Sequence, residues 1–212
     1  MLIGLYGGTF DPVHLGHTNA AMQVKDALGL SQVHLVLAAR PGHRSEPRES
    51  EEDRWRMLCL ACEEHDGLFA DDTELRRDGT SYTYDTLAGI GAKKRGIIPC
   101  WILGQDAFAT LPSWYRWRDL LGLCNLIVVE RPGDVRKEGA ELSALCAQHE
   151  VDQLTETEVG QVYRLHLPMK QLSATQIRAD IAAGNEVQHL LAPRVCAYIN
   201  EHQLYGKSEN VV

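Results

Sequence analysis

Positive charge is scarce in this 212-residue chain: 21 lysines and arginines stand against 29 aspartates and glutamates, a formal charge of −8. Broad attraction to a nucleic-acid backbone is thereby excluded, and no nucleic-acid partner is expected. A compact anion needs only a local cluster of donors, whatever the global sign. Nowhere do about 18 uninterrupted apolar residues occur, and "MLIGLYGG" has neither a basic stretch nor an apolar run of signal-peptide length. No membrane segment is expected, and the chain reads as cytoplasmic. Internal repeats and low-complexity tracts are missing too. Of the six cysteines, Cys59 and Cys62 form a C-x-x-C pair, with no second pair at zinc-finger spacing. Trp55, Leu58, Cys59 and Cys62 instead follow the i, i+3, i+4, i+7 stripe of a core-facing helix, which predicts reduced, buried thiols.

Two nucleotide signatures are also missing. The order Gly4, Gly7, Gly8 is not G-x-G-x-x-G, and "GIGAKKRG" at 89–96 lacks the glycine-lysine-hydroxyl order of a P-loop. No convincing triad or carboxylate dyad offers a general base.

What is present is alternation. Residues 2–6 form an apolar run; Ala20, Ala21, Val24, Ala27 and Leu28 then recur at helical spacing up to Gly29. "VHLVLAA" at 33–39, "LFADD" near 68, "IIPCWILG" at 97–104, "NLIVVER" at 125–131 and "QVYRLHL" at 161–167 read as strands. Helices are expected at 51–62 and 81–94, with a surface helix inside 132–160 and two closing helices, "SATQIRADIAAG" and "APRVCAYINEHQLYG". Pro-containing "PGHRSEPRES" at 41–50 is a long polar loop of the kind that closes over ligands. This pattern predicts one α/β domain over 1–212: a doubly wound parallel sheet with helices on both faces. Composition leaves a homo-oligomer open.

Behind the first strand lies "GGTFDPVHLGH". Gly7 and Gly8 let backbone N–H groups approach a ligand, and the helix starting near Gly16 favours an anion at its N-terminus. His14 and His17, three apart across the junction, can both donate to phosphate oxygens. Asp11 before Pro12 reads as a turn residue. In "SATQIR", Ser173 and Gln176 have capping-box spacing, which sets Ser173 at a helix N-cap with Thr175 and Arg178 beside the first turn.

"GGTFDPVHLGH" resembles the motif of the nucleotidyltransferase superfamily with an H-x-G-H element, and the chain is similar to its nicotinate-nucleotide adenylyltransferase branch. "PGHR" at 41–44, "SYTYDTL" at 81–87, "LGQDAF" at 103–108, "LPSWYRW" at 111–117 and "SATQIR" at 173–178 extend the likeness over nearly the whole chain. In one departure, Gly42 follows Pro41 where the family often has a second proline.

The resemblance implies a Rossmann-like nucleotidyltransferase fold with C-terminal helices. It implies transfer of AMP from ATP to the 5′-phosphate of nicotinate mononucleotide, with Mg²⁺ carried mainly by ATP phosphates and water and no protein metal ligands. Carried over residue by residue, His14, His17 and Arg178 are the catalytic candidates. ATP would meet Gly7, Gly8, Thr9, His14, Gly16, His17, Gly104, Asp106, Ser173, Thr175 and Arg178. Nicotinate mononucleotide would meet Thr9, Phe10, His43, Arg44, Thr83, Trp114 and Tyr115, with His43 and Arg44 on its phosphate. Backbone N–H groups at Thr83, Trp114 and Tyr115 would hold the carboxylate while Trp114 stacks on the ring. Nicotinamide mononucleotide or phosphopantetheine as acceptor, or a sensor that binds nucleotide without turnover, remain the alternatives.

Overall fold

The computed structural model describes residues 1–41, 46–93, 96–133, 138–168 and 172–206. Among these, strands β1 (Leu2–Gly8), β2 (Val33–Leu37), β3 (Leu68–Asp71), β4 (Ile98–Gly104), β5 (Asn125–Glu130) and β6 (Val162–His166) build one sheet. The α-helices are α1 (Leu15–Ala27), α2 (Glu51–Cys62), α3 (Thr83–Lys93), α4 (Gln105–Ala109), α5 (Ala140–His149), α6 (Ala174–Ala183) and α7 (Pro193–Glu201). All strand pairs are parallel, in the order β3-β2-β1-β4-β5-β6.

The strands are apolar almost throughout because both faces are covered. Side chains alternate across a strand, and that alternation divides the core in two. Val33, Leu35, Leu37, Cys100, Ile102, Ile127 and Val129 pack with residues of α1, α2, α6 and α7. Val36, Trp101, Leu103, Leu126 and Val128 pack with Leu87 of α3, Phe108 of α4 and Leu142 of α5. This is the expected doubly wound sheet. Because the order reverses between β1 and β4, the crevice beyond their carboxyl ends is where such sheets bind ligands.

Four local expectations change. β1 continues to Gly8, so the glycine pair lies within the sheet, with Gly7 opposite Val36 and Gly8 opposite Leu37. The reason is steric: a Cβ on Gly7 would lie 2.5 Å from the Trp101 ring, and one on Gly8 2.8 Å from that of Phe10. Gly7→Ala is therefore expected to cost about 1–3 kcal/mol as overpacking, read as a lower denaturation midpoint; an unchanged midpoint would mean that Trp101 yields freely. β2 ends at Leu37, not at residue 39, because the carbonyls of Ala38 and Ala39 accept from Arg54 instead of a neighbouring strand. Ser81 lies outside α3, in a bridge with Pro41. Ala27, expected on the core face of α1, is exposed in the last turn.

The cysteines of the described chain are free thiols. Cys62 is buried, and burial pushes its thiol up to about 12, which removes reactive thiolate at neutral pH. Cys59 is partly exposed. Between β5 and β6, α5 buries Leu142 and leaves most of its other residues toward solvent, as a surface helix should.

Candidate active site

The β1–α1 loop is held from three directions. Phe10 adopts φ +48° and tucks its ring into the core at 2 % exposure. Asp11 is equally sequestered: its Oδ2 accepts the Arg48 N–H at 2.8 Å and its Oδ1 accepts the Tyr205 hydroxyl at 2.8 Å. Arg54, 1 % exposed, donates to the carbonyls of Thr9, Ala38, Ala39 and Glu49 at 2.9–3.3 Å. One guanidinium thus satisfies backbone oxygens from the loops after β1 and β2, where sheet and helix partners are lacking.

His14 is the N-cap of α1 and His17 occupies its first turn. The two rings stack at 3.7 Å, 16° from parallel, and the Phe10 ring meets His17 edge-on at 5.0 Å. His17 Nδ1 accepts the backbone N–H of His14 at 3.3 Å. A ring nitrogen that accepts carries no proton, so Nε2 of His17 is an N–H donor. Burial lowers the pKa of His14 to about 4, so in the unliganded protein it is a neutral hydrogen-bonding group, not a cation. Its buried Nδ1 faces the His17 backbone N–H in a capping-box arrangement whose geometry falls short of a full hydrogen bond. That atom lies above Gly16, where a Cβ would stand 2.9 Å away. The same Cβ would reach Leu172 at 3.2 Å, so Gly16 also permits the approach of the chain leading into α6.

At α6 the Ser173 side chain accepts the Gln176 N–H, as its spacing predicts. Gln176 turns away to Asp180, so only half of the capping box forms. Arg178 does not stand open for a two-oxygen fork. Its Nη1 donates to the Asp11 carbonyl at 2.6 Å and its Nη2 to Thr175 Oγ1 at 3.3 Å. That first bond joins residues 167 apart and brings the late motif onto the early one.

Across the crevice, Gly104 caps α4 with extended backbone, φ −74° and ψ 161°. A Cβ there would strike Asp106 Oδ1 at 2.6 Å, and Arg131 Nη2 lies 3.7 Å from the same point. Arg131, just past the end of β5, also exerts a positive field on His14. A second cation therefore faces this crevice, one that in the sequence looks like the tail of the strand "NLIVVER". Its place immediately beyond a buried strand's carboxyl end was the available signal.

The aromatic side assembles as follows. Tyr82 and Tyr115 lie ring to ring at 4.7 Å, Tyr84 meets Tyr115 edge-on at 6.2 Å, and the Arg116 guanidinium sits 3.8 Å above Tyr84. "SYT" and "SWY" are thus brought together, and Thr83 opens α3. Trp114 and Tyr115 lie between two 3₁₀ helices, Leu111–Ser113 and Trp117–Gly122; of the N–H groups expected at the carboxylate, that of Trp114 is corrected, being spent on the Leu111 carbonyl at 2.9 Å, which closes the first turn. Proline at the second position of that turn tightens it into a short unit that ends before Trp114. Trp114 packs in part against the second core, and Tyr115 is 47 % exposed. His43 and Arg44 lie outside the described residues.

Comparison with known proteins is concordant. Two relatives named "Probable nicotinate-nucleotide adenylyltransferase" are similar over most of their length. The one from Aeromonas hydrophila is 40% identical over 207 residues, 96% of each chain. The one from Pseudomonas putida is 40% identical over 206 residues, 96% of this chain and 94% of the relative. A solved structure, the Plasmodium falciparum nicotinic acid mononucleotide adenylyltransferase complexed with NaAD, superposes with a TM-score of 0.75 at 18% identity, covering 96% of this chain and 97% of that one. The last likeness is one of fold. With residues 5–180 matching the cytidylyltransferase-like family, and with its histidine-bearing loop and late arginine meeting at the sheet's switch point, this chain belongs to that family.

Proposed function

We propose that this protein is a nicotinate-nucleotide adenylyltransferase of NAD biosynthesis. It joins AMP from ATP to the 5′-phosphate of nicotinate mononucleotide, giving nicotinate adenine dinucleotide and pyrophosphate. The observation that carries this reading is the junction of two motifs 167 residues apart, Arg178 against the Asp11 carbonyl, in a chain 40% identical to its named relatives over nearly all of its length.

The chemistry asks for little beyond placement. A phosphate monoester with a second pKa near 6 is already mostly dianionic at neutral pH, so the nucleophile needs no general base, and the lack of a triad is no obstacle. Two polyanions must be held in line and charge on the departing pyrophosphate offset. The N-termini of α1 and α6 offer free N–H groups. The His17 N–H and the neutral His14 ring add oriented donors, and Arg131 and Arg178 add the positive charge. Gly104 and Asp106 open α4 beside that cluster, where the Asp106 carboxylate can accept a ribose hydroxyl. Thr83 and the Tyr82, Tyr84 and Tyr115 rings, with Arg116, form the seat for an aromatic acid.

Among the described residues no three His, Cys, Asp or Glu side chains gather as a metal cage. The donors present fit a Mg²⁺ that arrives on the nucleotide, keeps its waters and screens the phosphate oxygens. No helix among the described residues is long and apolar enough to cross a membrane.

The test is pyrophosphate release from Mg-ATP with nicotinate mononucleotide, nicotinamide mononucleotide and phosphopantetheine in turn. Nicotinate mononucleotide is expected to be the fastest acceptor, since an amide NH₂ facing donors forfeits about 1–3 kcal/mol. Equal rates for acid and amide would reject the acid seat, and no release with any acceptor would leave a nucleotide-binding sensor.

A further inference from the structure

The turn that follows α7 is built into the site. Tyr205 is 1 % exposed and adopts φ +60°. Its N–H donates to Glu49 Oε1 at 2.8 Å and its hydroxyl to Asp11 Oδ1 at 2.8 Å. Arg48 completes the dock from the other side, giving its Nη2 to the Gly206 carbonyl and its backbone N–H to Asp11 Oδ2, each at 2.8 Å. Burial and the adjacent Asp11 carboxylate push the Tyr205 phenol up, so the proton stays available for donation.

Arg178 adjoins the same carboxylate at ion-pair distance but makes no hydrogen bond to it. Its Nη1 bonds the Asp11 carbonyl at 2.6 Å but stands 3.7 Å from Oδ2, outside hydrogen-bond range. The Asp11 carboxylate is already served by the hydroxyl of Tyr205, the N–H of Arg48 and, at 3.4 Å, the N–H of Glu49. Take the hydroxyl away and Oδ1 keeps only the long Glu49 contact. A buried carboxylate short of donors would then draw in the nearest guanidinium as a charge-assisted pair.

We infer that Tyr205 is a positioning residue for Arg178: its hydroxyl saturates Asp11, so that the guanidinium rests on a carbonyl from which a triphosphate can draw it. The inference rests on the ATP-binding reading above. It gives the segment after α7 a part in nucleotide binding although Tyr205 itself touches no substrate.

The test is a cycle of Tyr205→Phe, Arg178→Ala and the double variant, in which calorimetry reads binding of a non-hydrolysable ATP analogue with Mg²⁺ and thermal midpoints are recorded. Tyr205→Phe keeps the ring and its packing. It is expected to weaken analogue binding about tenfold in the presence of Arg178, the scale of one charge-assisted hydrogen bond, and by less than about twofold in the Arg178→Ala background. KM for ATP should rise while KM for the acceptor holds, a split that decides the matter should Arg178→Ala abolish measurable binding. Equal weakening in both backgrounds, equal rises in both KM values, or no effect of Tyr205→Phe would overturn the inference. Wild-type protein that binds no ATP analogue would instead overturn the reading of the site, and this inference with it.

Discussion

Replacing His17 by alanine is expected to lower kcat by about 10²–10³, the usual loss for one preorganised donor, with a smaller change in KM. The magnitude follows from how completely the ring is fixed. Stacking on His14 sets its plane, Phe10 blocks its edge, and the His14 backbone N–H occupies Nδ1. Tautomer and direction are thus chosen before substrate arrives, and no reorganisation is left for the reaction step. A donor of this kind acts most on charge that develops late, on the bridging oxygen of the departing pyrophosphate. Steady-state kinetics at saturating ATP, with the thermal midpoint recorded alongside, is the check. A kcat within about threefold of wild type would take His17 out of the transition state.

Arg54→Met should have the largest effect on stability, about 3–5 kcal/mol, since four carbonyls lose a charged donor at once and the guanidinium hydrogen bonds are each worth about 1.5–3 kcal/mol before the new side chain's burial offsets part of the loss. For a chain of this length the thermal midpoint should fall by roughly 6–20 °C. Activity should fall with it even at temperatures where the variant remains folded, because Thr9 and the Ala38–Ala39 segment would no longer be held in one frame. Burial makes the isolated charge expensive and lowers the arginine's pKa, yet no carboxylate lies close enough to form an ion pair with it among the described residues. The backbone oxygens therefore hold it. Urea denaturation of wild type and Arg54→Met gives the difference directly, and a loss below about 1 kcal/mol would mean that the loops close without the clamp.

Much of the site was legible because its signals are local. His14 and His17 lie three residues apart around a helix start, and the cap at Ser173 needs only an oxygen three residues before an N–H. Alternating apolar runs gave the order of strands and helices for the same reason. At Gly7 and Gly8 the sequence shows that a side chain is missing but not what fills the space; Trp101 and Phe10 fill it. That the Trp114 N–H is used within its own turn was not legible, because proline suits both a first helical turn and a short 3₁₀ unit. Asp11 read as a turn residue, and Arg54 and Tyr205 carried no signal at all, since their partners lie 5 to 194 residues away and most belong to distant segments.

By itself the sequence determined the element order, the two-faced burial that demands helices on both sides of a parallel sheet, and the presence of two phosphate-seeking helix starts. Each depends on spacing within a few residues, where chain geometry leaves little choice. The tertiary structure alone decided that those helix starts share one crevice, that the His14 ring is neutral there, and that Arg178 waits on the Asp11 carbonyl. Desolvation and contacts between distant segments depend on what the rest of the fold excludes or brings near, and neither is written in the spacing of neighbours.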